Sequence, residues 1–372
     1  MSIAYRPVMY DTRKAFHDAV MVGGILVYLA LFMVGALATQ RAMDVTEAIA
    51  ALRTGLGSLS VLMLHYALAI GPLTRLYPSL MPFIRNRRHF GVATFFVTLA
   101  YATVTLMMNY TGGAMNPVAA ALLANLHFLS IGAFPFEIFG FAAILILAAM
   151  AFTSHDFWMA YLGVERWKRL HMLVYAAFVC ELLYVVLGSL QTASNPVYPV
   201  LMALGSCGLV LLHWRAAQQE HEMDSRVPQA DAHGWLLVGP TDSIPVNQAV
   251  IISTGEERVA VFRHWQGFSA ISNVCAHQLG PIGEGEMSSG YSRCPWHGSL
   301  YNPHNGTSPP PLLKWVPTYD LKLEGGNLYL NPVAHPPGTP VEPIARPDRS
   351  GGSSPTSRRG RLVQEFFGEG AV

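Results

Sequence analysis

Residues 274–285 read "VCAHQLGPIGEG" and residues 292–301 read "SRCPWHGSLY". Cys275 and His277 stand two apart, Cys294 and His297 three apart, with sixteen residues between the pairs. The chain has four cysteines in 372 residues, so a disulfide framework is not indicated, and two of the four fall in this span. Each pair offers one thiolate and one imidazole. That set suits a [2Fe–2S] cluster with unlike irons, both cysteines on one and both histidines on the other. A Cys2His2 zinc site is the alternative, although zinc motifs more often pair Cys with Cys and His with His. Gly280, Pro281, Gly283, Gly285, Pro295 and Gly298 permit tight backbone beside the sulfurs.

Around this span the chain reads as short alternating runs, "WLLVGP", "AVIIS", "RVAVFRH", "FSAISNV" and "NLYLN", separated by Gly, Pro and Asn. The pattern predicts a small all-β domain over residues 234–332. Residues 214–233 read as a polar linker before it. Residues 333–372, rich in Pro, Gly, Ser and Arg, read as a disordered tail.

The first half of the chain has another character. Charged residues are 13% overall and apolar residues 52%, and no Asp, Glu, Lys or Arg occurs from His89 to Phe136. Such a stretch belongs in a bilayer. Six apolar segments are long enough to span it: Ala19–Thr39, Thr54–Pro72, Phe90–Tyr110, Ile138–Ser154, Met172–Leu190 and Pro196–His213. The expected architecture is a six-helix transmembrane bundle over residues 19–213, preceded by a cytoplasmic segment, 1–18, and followed by the all-β domain. Ala36-Leu37-Ala38 resembles a signal-peptide cleavage site, but the apolar core before it is too long and its leader too extended, so the segment reads as an anchor.

Arg6, Arg13 and Lys14, then Arg75, Arg85, Arg87 and Arg88, then Arg166, Lys168 and Arg169, and finally Arg215 gather in alternate loops. The remaining loops hold Arg41 and Arg53. The positive-inside rule then predicts both termini and the all-β domain on the cytoplasmic side of a membrane, in a bacterium the inner one. A net charge of +1 gives no reason to expect nucleic acid as a partner. Membrane lipid is the expected one.

Several polar residues inside the spans carry candidate chemistry. His89 and His171 each follow a basic cluster, "RRH" and "KRLH", where spans three and five begin, so they lie at one depth. Two imidazoles so placed suit a haem clamp, with the neighbouring cations on its propionates. Interfacial histidines capping basic loops are the plainer reading. Glu181 is a carboxylate inside span five, one turn from Tyr184, and suits proton delivery to a quinone or a simple hydrogen-bonded carboxyl. His65 is a spare ligand or a core histidine, and His127 a candidate for the outer loop. Cys180 and Cys207 read as small buried residues.

The paired Cys/His knuckles, "GPIGEG" and "CPWHG" resemble the Rieske family over about one hundred residues. The resemblance implies Cys275, His277, Cys294 and His297 as cluster ligands. Ser299 and Tyr301 stand where family members hydrogen-bond a cluster sulfur and a ligand sulfur, which raises the potential. The inter-loop disulfide of the quinol-oxidising members is absent, since Leu279-Gly280 and Trp296 occupy that region. A potential between the ferredoxin-like and quinol-oxidising classes is expected.

Residues 50–190, with "ALRTGLGSLSVLML", "GPLTRL", "RNRRHFGVATFF" and "TSHDFWMAYLGVERWKRLHMLVY", resemble the ferric-reductase-like transmembrane domain. That resemblance implies b-type haem between spans three and five. His171 and His89 match ligand positions, whereas Tyr101 and Tyr184 stand where further histidines are expected, so one haem at most is anticipated. The chain contains no GxGxxG for a nucleotide cofactor. The expected function is membrane electron transfer between a cytoplasmic donor, a Rieske cluster and a haem b or quinone, with a redox partner supplying reductase chemistry. The alternative is a haem-free accessory subunit of a respiratory or photosynthetic complex. An oxygenase component is the weaker third option, because no two-His-one-carboxylate iron set can be picked out.

Overall fold

The computed structural model describes residues 12–39, 43–84, 86–126, 134–191, 196–310 and 313–345. His127, most of the 1–18 segment and the chain beyond 345 lie outside the described residues.

The first half is helical. Helix α1 covers Thr12–Thr39, α2 Val45–Leu76, α3 Met81–Ile84, α4 Arg87–Tyr110 and α5 Pro117–Leu123. They are followed by α6 Glu137–Phe152, α7 Asp156–Leu162, α8 Val164–His171, α9 Val174–Tyr184 and α10 Val197–Ser225. Helix α2 starts on a capping box: Asp44 accepts from the Glu47 amide at 2.7 Å and Glu47 accepts from the Asp44 amide at 3.0 Å. It is the hub of the bundle, packing on α1, α4 and α10, while α6 packs on α9 and α4. Leu56, Leu59, Met63 and Val97 form one core, and Leu64, Phe95, Leu147 and Ala177 another. Leu31, Val34, Leu204 and Val210 point outward. With no hydrogen-bonding need of their own, such faces suit lipid.

Five helical stretches are long and apolar enough to cross a membrane, and a bent pair makes a sixth. The bent pair is α6 with α7, which turn by 90° between Phe152 and Asp156. The fourth span therefore does not run straight to Ser154. Trp167 donates from Nε1 to the Thr153 carbonyl at 2.8 Å, and the His155 ring accepts from the Phe157 amide at 3.2 Å, starting a new helix. The stretch from 214, expected as linker, is instead a continuation of α10 as far as Ser225.

The second half is all-β. A four-stranded sheet has the order β2 Gln248–Ser253, β3 Arg258–His264, β4 Gly267–Ser272 and β8 Thr318–Tyr319. A second sheet joins β1 Leu236–Pro240, β10 Asn327–Leu330 and β9 Leu321–Glu324. Val259, Val261, Phe268, Tyr319, Leu328 and Leu330 form the core of this half. The third sheet, β5 Met287–Ser288, β6 Tyr291–Arg293 and β7 Leu300–Tyr301, carries the second Cys/His loop between β6 and β7. Residues 333–345, expected as the start of a tail, pack on the domain. Ile344 exchanges two backbone hydrogen bonds with Phe268, at 2.9 and 3.0 Å. A Cβ at Gly267 would meet the Ile344 carbonyl at 2.1 Å, so that position takes only glycine.

Candidate metal centres and the domain junction

The two Cys/His loops are one turn used twice. Cys275 donates its amide to the Gly280 carbonyl at 2.8 Å, and Cys294 to the Ser299 carbonyl at 2.8 Å. The residue four positions on closes each loop: Leu279 donates to the Cys275 carbonyl at 2.8 Å and Gly298 to the Cys294 carbonyl at 2.9 Å. Both closing residues are left-handed, with φ of 62° at Leu279 and 75° at Gly298. Leucine there carries strain that glycine does not.

The loops bring the predicted ligands together in like pairs. Cys275 and Cys294 are each 1% exposed, and their thiols are in hydrogen-bonding contact. The His277 and His297 rings meet edge to face, centres 4.9 Å apart, on the outer side of the loops. Glycine permits the approach: a Cβ at Gly280 would lie 2.9 Å from Cys294 Sγ. Among the described residues no three His, Cys, Asp or Glu side chains gather for a single ion. Sulfur beside sulfur and imidazole beside imidazole suit two unlike irons better than one zinc. The hydrogen bond from Cys294 pulls the Cys275 thiol down, aided by the Tyr301 hydroxyl and opposed by burial. Cys294 is pushed up by the same bond and by burial, so one thiolate of the pair is favoured. Tyr301 is fully buried and places its hydroxyl 3.2 Å from Cys275 Sγ. Ser299 closes its loop through its carbonyl.

At the near end of the bundle, His171 donates from Nδ1 to the Trp167 carbonyl at 3.0 Å and stacks on the Trp167 ring, centres 3.9 Å apart. Its Nε2 is buried and makes no hydrogen bond of ordinary geometry among the described residues. The Met150 carbonyl is a further backbone neighbour of this ring. His89 bonds through Nδ1 to both oxygens of Asp18 on α1, at 2.8 and 2.9 Å. A ring held by Nδ1 is the orientation in which histidine ligates iron through Nε2, and both rings are held in that way. No hydrogen bond or ring contact joins His89 to His171 among the described residues. Arg88 pairs with Asp156 and lies 5.7 Å over the Trp167 ring. His65 is satisfied: Nδ1 donates to the Val61 carbonyl at 2.8 Å and Nε2 meets Ser206 at 3.4 Å. Glu181 accepts from Ser60 at 2.8 Å, while Tyr184 bonds Tyr101. Cys180 is partly buried, but Cys207 is exposed, contrary to expectation, on the outer face of α10.

The β-domain sits on this same end of the bundle. Arg87 lies 5.1 Å over the ring of Trp296, between Cys294 and His297. The aqueous end of α10 holds the domain from the other side. Arg258 of β3 reaches Glu220 and Asp224, each at 2.6 Å, and Ser253 donates to the Asp224 carbonyl at 2.8 Å. Leu279, at the tip of the first loop, borders a cleft of ≈ 350 Å³ with Lys168, Arg169 and Met172. Asp18, Asp156 and Trp167 escaped sequence reasoning, as did the contact of Trp296 with Arg87. The first two had a signal, an acid at the margin of an apolar run.

Comparison with known proteins agrees with both halves. The family described as "Ferric reductase like transmembrane component" matches residues 54–181, and the Rieske [2Fe-2S] domain family matches 234–319. The protein-methionine-sulfoxide reductase heme-binding subunit MsrQ of Ralstonia nicotianae is 30% identical over 178 residues, 47% of this chain and 77% of that protein. The MsrQ of Xanthomonas oryzae pv. oryzae is 33% identical over 187 residues, 48% of this chain and 75% of its own. The cytochrome b6-f complex iron-sulfur subunit of Chlorobaculum tepidum is 28% identical over 100 residues, 26% of this chain and 52% of that subunit. Among solved structures, the ferredoxin of carbazole 1,9a-dioxygenase from Nocardioides aromaticivorans is 22% identical, covering 27% of this chain and 98% of its own, with a TM-score of 0.26. Helical bundle and β-domain together make an integral membrane electron-transfer protein: the chain belongs to the ferric-reductase-like family of MsrQ, with a Rieske [2Fe-2S] domain behind its bundle.

Proposed function

We propose that this chain passes single electrons between its own Rieske domain and its own membrane bundle. Cys275 and Cys294 hold one iron of the cluster, His277 and His297 the other, and His89 and His171 hold a haem b, the group that the MsrQ relatives are named for binding. When bound, these groups supply reversible one-electron chemistry. The carrying observation is the contact of Arg87 with Trp296. It joins the cluster-binding loop to the residue two positions before His89. Trp167 supports the same end by stacking on His171 under Arg88. The residues thus orient both histidines through Asp18 and the Trp167 carbonyl.

The positive-inside pattern of the basic loops supports reading this junction as the cytoplasmic side of a bacterial inner membrane. The donor is then a cytoplasmic redox protein carrying its own nicotinamide or flavin site, and the acceptor a quinone or an extracytoplasmic partner. The reverse direction uses the same residues. One observation favours the second reading, a haem-free accessory subunit: Tyr101 and Tyr184, which stand where further histidines are expected, are hydrogen-bonded to each other.

Metal, acid-labile sulfide and haem analysis of the purified full chain, with low-temperature electron spin resonance, separates these readings. Expected are about two non-haem irons with matching sulfide, a Rieske-type signal and one bis-histidine haem. Zinc in place of iron, or missing sulfide, overturns the cluster assignment. A Rieske signal without haem absorbance leaves the accessory subunit.

A further inference from the structure

Polar side chains meet in the middle of the bundle in two layers. In one, Ser60 of α2 donates to Glu181 Oε1 at 2.8 Å and meets Thr98 Oγ1 of α4 at 2.7 Å. In the other, the Tyr101 hydroxyl of α4 and the Tyr184 hydroxyl of α9 are 3.1 Å apart. Tyr101 follows Thr98 by three residues and Tyr184 follows Glu181 by three, so the layers lie about 5 Å apart on the same helix faces. The tyrosines have a seat made for them. A Cβ at Gly57 would come within 2.8 Å of the Tyr101 ring, and one at Gly140 within 2.8 Å of the Tyr184 ring.

A third group lies beyond these, toward the end of the bundle remote from the Rieske domain. Glu137, the first residue of α6, is 6% exposed. Its Oε1 accepts from Asn125 at 2.6 Å and from Tyr110 at 3.3 Å. Its Oε2 is buried without a hydrogen-bond partner among the described residues. A buried carboxyl oxygen without a donor costs free energy, and a proton or a water on that oxygen removes the cost. The Tyr184 ring rests on Phe136, the neighbour of Glu137, centres 5.6 Å apart. The titratable groups around this column are Tyr184 from α9, Tyr101 and Tyr110 from α4, Glu137 from α6 and, packed in the cluster of Tyr101, Tyr28 from α1, which meets Ser58 at 2.9 Å; His65 and Arg53 stand elsewhere on α2. His65 is held by Val61 and Ser206, and Arg53 by Asn109 at 3.3 Å.

We infer that Glu137, the Tyr184–Tyr101 pair and Glu181 form a proton path from the bundle end remote from the Rieske domain to the middle of the membrane. Each electron drawn from the Rieske domain adds one negative charge to a medium of low dielectric. One proton compensates it. An O–H bond breaks at Glu137, one water in each gap between layers and the tyrosine hydroxyls each take one proton and release another, and an O–H bond forms on the Glu181 carboxylate. Water on the remote side returns a proton to Glu137. Oxidation runs the sequence backward. The inference rests on the proposed arrival of electrons in the bundle.

The test is redox titration of the full chain in lipid nanodiscs at several pH values, with infrared difference spectra. Expected are a bundle potential that falls as pH rises and a carboxyl C=O band that appears on reduction. Both vanish in Glu181→Gln. Tyr184→Phe and Glu137→Gln keep the equilibrium but slow proton uptake by at least roughly tenfold, and Glu137→Asp restores part of the rate. Should Glu181→Gln fail to assemble, Ser60→Ala serves, displacing the carboxyl band. A bundle that is reduced with no pH dependence and no carboxyl band overturns the proton path alone. A bundle with no redox-active absorbance beside a titrating cluster overturns the electron-transfer reading, and this inference with it.

Discussion

The guanidinium of Arg87 lies 5.1 Å above the ring of Trp296, although the two residues belong to different domains. A cation over a tryptophan face contributes on the order of 2 kcal/mol when water is excluded. Arg87→Ala therefore loosens the docked cluster loop and slows electron transfer into the bundle by roughly tenfold or more. Trp296→Leu has the same effect, and Arg87→Lys a smaller one. Flash-photolysis kinetics of the full chain measure it, with the cluster resonance unchanged as control. Equal rates in all three variants would show that this contact does not set the pathway.

Tyr301 tunes the cluster through Cys275 Sγ, 3.2 Å from its hydroxyl. A donor to a ligand sulfur stabilises the reduced cluster. Removing a hydrogen bond of roughly 1–1.5 kcal/mol lowers a one-electron potential by about 40–60 mV. Tyr301→Phe is expected to show this fall in a spectroelectrochemical titration. An unchanged midpoint would reduce Tyr301 to a packing residue.

Asp18 and the Trp167 carbonyl hold the two candidate haem ligands by Nδ1. His171→Ala abolishes haem binding. Asp18→Asn, which weakens the orienting partner of His89, loosens haem by roughly 10- to 100-fold. Haem retention after dilution in detergent reports both. Full retention in His171→Ala removes that residue from the site.

Arg258 reaches Glu220 and Asp224 of α10, each at 2.6 Å, with its side chain largely covered. Arg258→Ala leaves Asp224 without this cation and Glu220 with Arg75 alone, at 3.9 Å, and frees the Rieske domain to turn. In oriented membrane films the cluster resonance of the unaltered chain depends on the angle of the field. The variant is expected to lose that dependence.

His264 bonds Ser269 from a buried position, and burial pulls its imidazole down to about 4. A histidine in the unfolded chain titrates near 6.5. Between these values the unfolded state binds the extra proton, so stability falls as pH drops from about 6.5 to about 4. The shift corresponds to at most about 3 kcal/mol. His264→Gln should flatten the difference between pH 7 and pH 5 in denaturant titrations that follow the cluster's visible circular dichroism. A parallel loss in both chains would assign the acid sensitivity to other groups.

Much of this architecture is legible in short-range patterns. "RVAVFRH" is strand β3 from its first residue to its last, since alternating β-branched residues state both ends. The knuckles are legible because iron dictates which side chains stand how far apart. What escaped depends on distant partners. Thr153 ends a span because Trp167, fourteen residues away, takes its carbonyl. Residues 214–225 looked like linker because they are polar, yet "AAQQEHEMD" is made of good helix formers and lacks any Gly or Pro. His89 read as half of a clamp, and its tie to Asp18 on α1 is invisible to periodicity.

Helix α10 runs unbroken from Val197 inside the bundle to Ser225 beneath the Rieske domain, and a helix has a phase. One residue inserted near Gln218 would rotate everything beyond it by about 100° and advance it by about 1.5 Å. Trp296 would then no longer face Arg87. Seven inserted residues would nearly recover the angle yet lift the cluster by about 10 Å. This segment accepts exchanged side chains far more readily than an altered residue count.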